Sequence, residues 1–190
     1  VEATNIASTS YVQADVDFLQ GMIVHHQQAI LMSELATQRT NNQTILDLAD
    51  RIDISQEDEI DFMGNWLESR GENKNLSLHD MPVYKHMKMA GMASNEELKE
   101  LKDSKGTSFD KLFLKLMINH HDGALEMVKT LKEFPGNSFD SALDEFISEL
   151  INDQGVEIER MNGILVNLSE DPRSSLKPGL HDAGESIQNL

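Results

Sequence analysis

Residues 45–67 read Ile45-Leu-Asp-Leu48-Ala49-Asp-Arg-Ile52-Asp-Ile-Ser-Gln56-Glu-Asp-Glu59-Ile60-Asp-Phe-Met63-Gly-Asn-Trp66-Leu67. Ile45, Leu48, Ala49, Ile52, Ile60, Met63, Trp66 and Leu67 follow at helical spacing, with Gln56 and Glu59 filling the same stripe. Steps of three and four residues place such positions on one face of an amphipathic helix. The stripe returns 98 residues later as Leu143, Phe146, Ile147, Leu150, Gln154, Glu157, Ile158, Met161, Ile164 and Leu165. Both copies contain Gln-x-x-Glu-Ile-x-x-Met, so two polar residues interrupt an apolar face at matching places. A helix with such a face needs partners to bury it.

The partner helices lie upstream. Met22-Ile-Val-His25-His26-Gln-Gln-Ala-Ile-Leu-Met32 reappears 95 residues on as Met117-Ile-Asn-His120-His121-Asp-Gly-Ala-Leu-Glu-Met127. The offset grows from 95 to 98 because the second copy carries three extra residues around Phe134-Pro135-Gly136-Asn137, a turn sequence. The periodicity predicts helices at 12–38, 43–70, 108–133 and 138–168, with Asn42, Ser108 and Ser138 as N-caps. Two such hairpins bury their stripes against each other as an all-α four-helix bundle. The chain is expected to be one domain over 1–190, with repeats at 12–70 and 108–168, a linker at 71–107 and a C-terminal strap at 169–190. Within the linker, Ser94-Asn-Glu-Glu97 has the form of a capping box opening a short helix.

Composition narrows the function. Sixteen Lys and Arg against thirty-three Asp and Glu leave a formal charge of −17, which disfavours nucleic acid and anionic membrane surfaces. No run reaches the roughly 18 apolar residues of a membrane span. The absence of cysteine excludes disulfides and thiolate metal sites. No secretory signal is visible, and a chain beginning at Val1 fits a processed or trimmed form. The serines lie at caps and turns, and no glycine-rich phosphate loop is present, so no enzyme activity is expected.

Imidazole and thioether on one surface point to a soft transition metal, copper first. The helical candidates are Met22, His25, His26, Met32 and Met63, with Met117, His120, His121, Met127 and Met161 in the second copy. Glu59 and Glu157 are the carboxylates placed to meet the histidines. Adjacent histidines point about 100° apart on a helix, so one of each pair faces inward and the other lies at a helix seam. Gln56 and Gln154 are candidates to orient the imidazoles. The linker supplies six more candidates: His79, Met81, His86, Met87, Met89 and Met92. Thioethers outside the regular stripe have less reason to be core. Cu(I) suits two to four soft N and S ligands, and Cu(II) the imidazoles with a carboxylate or water.

The duplicated Phe-Leu-x-x-Met-Ile-x-His-His-x-x-Ala-x-x-Met, each followed by Gln-x-x-Glu-Ile-x-x-Met, resembles the bacterial family known as domain of unknown function 305. The matching residues run from Phe18 to Met63 and from Phe113 to Met161. The paired motif and Met/His-rich linker look most like the CopM-type copper-binding members. That resemblance implies a ferritin-like bundle, a periplasmic or secreted location, and copper sequestration or transfer in copper homeostasis and resistance. It further implies copper ions as ligands, Ag(I) as a surrogate, and an unidentified protein that donates or accepts the metal. The copies differ: Asp122-Gly123 replaces Gln27-Gln28, Gly155-Val156 replaces Glu57-Asp58, and Leu112 replaces Asp17, whereas Asp110 matches Asp15.

Two other readings stay open. A ferritin-like di-iron enzyme needs Glu-x-x-His on two helices, and that motif occurs nowhere in the chain. A structural or interaction bundle without metal would use the same histidines in a buried hydrogen-bonded network, with the methionines as core.

Overall fold

The structure, a computed structural model, describes residues 11–74 and 89–168. These residues are all-helical, without a strand among them. The helices are α1 (Gln13–Glu34), α2 (Ala36–Arg39), α3 (Gln43–Ser69), α4 (Asn95–Asp103), α5 (Thr107–Lys132) and α6 (Ser141–Asn167). The four long helices occupy the four predicted spans. The single helix expected over 12–38 is interrupted at Leu35, which keeps helical dihedrals between α1 and α2.

Two of the four expected caps hold. Asn42 accepts from the Thr44 N–H, and Ser94 with Glu97 forms a complete capping box. The other two are corrected. Gly106, at φ 56°, precedes α5 in place of Ser108, its N–H donating to Arg39 O at 2.7 Å. Asp140 caps α6 in place of Ser138, accepting from the Leu143 N–H at 3.1 Å. Ser138 instead adopts φ 54° and donates its N–H to Asp15 at 3.0 Å. Of the linker, residues 75–88 lie outside the described residues, as does the strap at 169–190.

Helix α1 packs along α3, α5 along α6, and α1 against α5. The stacked rings of Phe62 and Phe146, 4.4 Å apart, bring α3 to α6. The buried aspartates that open α1 and α5 tie each hairpin to the other. Asp15 takes Ser138 before α6, and Asp110 accepts from Asn42 before α3 at 3.1 Å.

The core has two apolar clusters. One gathers Phe18, Leu19, Met22, Met63, Trp66, Leu67, Met127 and Leu143 with their neighbours. The other gathers Met32, Ile45, Ile52, Leu101, Phe109, Phe113, Met117 and Met161 with theirs. Each fully buried side chain of this size contributes about 1.5–3 kcal/mol of transfer free energy. Along every long helix, a group of buried polar residues falls between its contributions to the two clusters. His25, His26, Gln56, His120, His121, Gln154 and Glu157 are all buried there.

Candidate functional site

The two histidines of each pair serve different interfaces. His25 and His120, on the facing helices α1 and α5, lie ring against ring with centroids 3.7 Å apart and planes tilted by 32°. His26 turns toward its own hairpin partner and contacts Glu59 of α3, while His121 contacts Glu157 of α6 at 2.6 Å. Helical geometry alone produces this split, because consecutive side chains diverge by about 100°. Both pairs keep the same internal spacing, 6.2 Å and 6.1 Å between centroids.

The hydrogen bonds assign nitrogens to roles. His25 Nε2–H donates to Ala90 O at 2.9 Å, and His120 Nε2–H donates to His25 O at 2.8 Å. Carbonyl oxygens only accept, so these Nε2 atoms carry protons. Desolvation pushes the His25 imidazole down to about 3, with His26 adding to the effect. Desolvation likewise holds His120 well below the ordinary histidine value, with His25 and His121 adding to it. Both rings are therefore neutral at neutral pH and carry a lone pair on Nδ1. Those Nδ1 atoms, and that of His26, are buried without a hydrogen-bond partner. His121 differs, since its Nδ1 faces Met117 O at 3.0 Å. The Gln56 amide and Gln154 Nε2 are also buried without partners, so neither amide orients a ring.

The six helical methionines divide evenly between the apolar clusters. Met22, Met63 and Met127 join one, and Met32, Met117 and Met161 the other. Each trio is thus made of one residue from each corresponding pair, and all six are buried. Met89 is partly buried and packs on the first cluster, and Met92 is also partly buried. His79, Met81, His86 and Met87 lie outside the described residues.

One part of the site was not read from the helical motifs. The linker returns to the helices at Met89–Ala93, where Ala90 O meets His25 Nε2. Besides the His25 bond to Ala90, the Gln28 amide grips Ala93 at both ends. Its Nε2 donates to Ala93 O at 3.0 Å, and its Oε1 accepts from Ala93 N at 2.7 Å. Asn119 donates to Gly91 O at 3.2 Å. The backbone approaches α5 so closely that a Cβ on Gly123 would lie 2.0 Å from Ala90 O. The visible signal was the unlike pair Gln28 and Gly123 at matching positions of the two copies.

Chemically, bare imidazole nitrogens and thioethers form a donor set that fits a soft cation. Among the described residues, no group of three or more His, Asp or Glu converges on a point where a metal could sit. The donors present are dispersed, with four imidazole Nε2 atoms engaged by protein oxygens. Among the same residues no helix is long and apolar enough to cross a membrane.

The fold and sequence have relatives. A DUF305 protein of Streptomyces coelicolor, assigned as secreted, superposes with a TM-score of 0.72 at 30% identity, over 82% of this chain and 92% of that one. A DUF305 fragment from Deinococcus radiodurans gives 0.71 at 27%, over 83% and 98%. CopM in its Cu(I)-bound form gives 0.63 at 28%, over 80% and 96%; in its Cu(II)-bound form it gives 0.65 at 30%, over 82% and 97%. An uncharacterized mimivirus protein, L153 of Acanthamoeba polyphaga mimivirus, is 45% identical over 56 residues, which span 30% of this chain and 37% of that protein. The family model for domain of unknown function (DUF305) matches residues 15–165, and the chain belongs to that family.

Proposed function

We propose that this protein binds copper, Cu(I) first and Cu(II) as well, and sequesters it or passes it on without catalysing a reaction. The observation that carries this reading is the likeness, over four-fifths of the chain, to CopM with Cu(I) and with Cu(II) bound. Local chemistry supports it. Neutral buried imidazoles with bare Nδ1 atoms are competent ligands without loss of a proton. Met89 and Met92 offer thioethers outside the helical stripes. The reading includes a ferritin-like four-helix bundle, a periplasmic or secreted location in keeping with the S. coelicolor relative, and a role in copper resistance with a donor or acceptor protein. The linker thioethers are the favoured entry point for Cu(I), because the helical ones are buried in apolar clusters.

Anaerobic titration with Cu(I) against a competing chelator tests the reading, with Ag(I) as a redox-silent surrogate. Specific saturable uptake is expected. Absence of any uptake tighter than the chelator refutes it. A second reading, a structural bundle without metal, draws on the engagement of every helical histidine Nε2 by a protein oxygen. Replacing His25, His26, His120 and His121 together by alanine separates the helical ligands from the linker. Unchanged copper stoichiometry would assign binding to the linker alone.

A further inference from the structure

We infer that Gln28, Asn119 and Gly123 form a socket that seats the linker segment Met89–Ala93 beside the His25–His120 pair, and that this seating sets the position of Met89 and Met92 for copper. The second half of the inference rests on the copper reading; the first half does not.

Four features converge on the linker at Ala90, Gly91 and Ala93. Gln28 is buried, and its amide satisfies both backbone groups of Ala93, as a neighbouring strand would. His25 holds Ala90 O and Asn119 holds Gly91 O. Gly91 has φ 75°, a backbone state disfavoured for other residues, and a Cβ there would meet Asn119 O at 2.2 Å. Gly123 mirrors it from the helix side, since its own Cβ would meet Ala90 O at 2.0 Å and Gly91 Cα at 2.7 Å. A glycine inside a helix weakens the helix, so its presence here is explained by the close approach of another backbone.

The socket is built asymmetrically from the two copies. Gln28 of the first copy supplies the amide, and Gly123, its counterpart, supplies the room. One linker segment meets Gln28 through Ala93 and Gly123 through Ala90 and Gly91, so the two positions play different parts. Consequently the two histidines of the stacked pair also differ: His25 donates to the linker and His120 to α1. Met89 is pinned one residue from Ala90 and rests on the first apolar cluster, while Met92 is held between Gly91 and Ala93. Ligands whose backbone is already ordered lose less entropy on metal binding.

Gly123→Ala tests the socket. Alanine is the better helix former, so α5 is retained while its methyl displaces the linker. Hydrogen exchange of the apoprotein reads the seating directly. Protection of the Ala93 amide is expected to fall about tenfold or more, with α1 and α5 amides little changed. Oxidation of Met89 by peroxide, followed by mass spectrometry, should accelerate while that of Met22 and Met63 does not. Anaerobic chelator competition should then show Cu(I) affinity about tenfold weaker. Gln28→Ala, which removes the clamp without adding bulk, should act in the same direction.

Unchanged Ala93 protection in both variants overturns the socket. Lost protection with unchanged Cu(I) affinity overturns its positioning role. Lost protection in a protein whose wild type takes up no copper supports the socket and overturns the copper half.

Discussion

The neutral histidine pair makes the stability of the apoprotein depend on pH in a calculable way. In the unfolded chain His25 titrates near 6.5, whereas in the fold burial holds it down to about 3. Between those values the unfolded state binds a proton that the folded state refuses. Stability therefore is full above pH 6.5 and declines as pH falls through the window toward 3. One proton costs about 1.4 kcal/mol per pH unit, so lowering the pH from 6.5 to 5 removes about 2 kcal/mol through His25 alone. His120 acts with the same sign, since desolvation lowers it too. His26 and His121 adjoin the pair and are held by Glu59 and Glu157, contacts in which the His25 ring takes no part. Glutamine does not titrate and retains an N–H for Ala90 O. The assay is urea unfolding of apoprotein between pH 7.5 and 5.0, followed by far-UV circular dichroism. Whatever the variant costs at pH 7.5, its stability relative to wild type should improve by about 2 kcal/mol at pH 5. Parallel pH profiles for the two proteins would refute the assignment of a neutral, desolvated His25.

The remaining predictions concern other parts of the fold. Asp140→Ala should destabilise by about 2–3 kcal/mol, because this carboxylate caps α6 and also takes Trp66 Nε1 at 3.2 Å and Arg70. Burial opposes ionisation of Asp140, but the Leu143 N–H, Trp66 and Arg70 outweigh it and hold its pKa below the ordinary value. Trp66 is the only tryptophan, so a shift in its emission should accompany the loss in thermal unfolding. Gln56→Leu should leave stability unchanged or raise it by about 1–2 kcal/mol in urea titration, because both amide atoms are buried without partners. Replacing Met22, Met63, Met117 and Met161 singly by leucine should each cost under about 1.5 kcal/mol. If those variants also keep wild-type Cu(I) affinity in chelator competition, the helical thioethers act as core.

The helices and their buried faces were legible in the order of residues. Stripes such as Ile45–Leu67 and Leu143–Leu165 are periodic over six turns, too long a pattern for local competition to override. That Glu59 and Glu157 would meet the histidines was legible for a related reason, since matching polar interruptions on adjacent faces must find each other or remain unsatisfied, but only the structure assigns them to His26 and His121. Helix starts were legible only where a side chain closes the first turn, as at Asn42 and Ser94. At Ser138 the choice belonged to Asp15, 123 residues away, which claims its N–H and leaves capping to Asp140. The stacking of His25 on His120 and the seat of the linker were likewise decided by tertiary structure. Each depends on how closely α1 and α5 approach, a distance that neither helix encodes alone. Gln28 and Gly123 stood out in the sequence as a mismatch between copies. Only the seating of one linker segment against both helices gives that mismatch its physical cause.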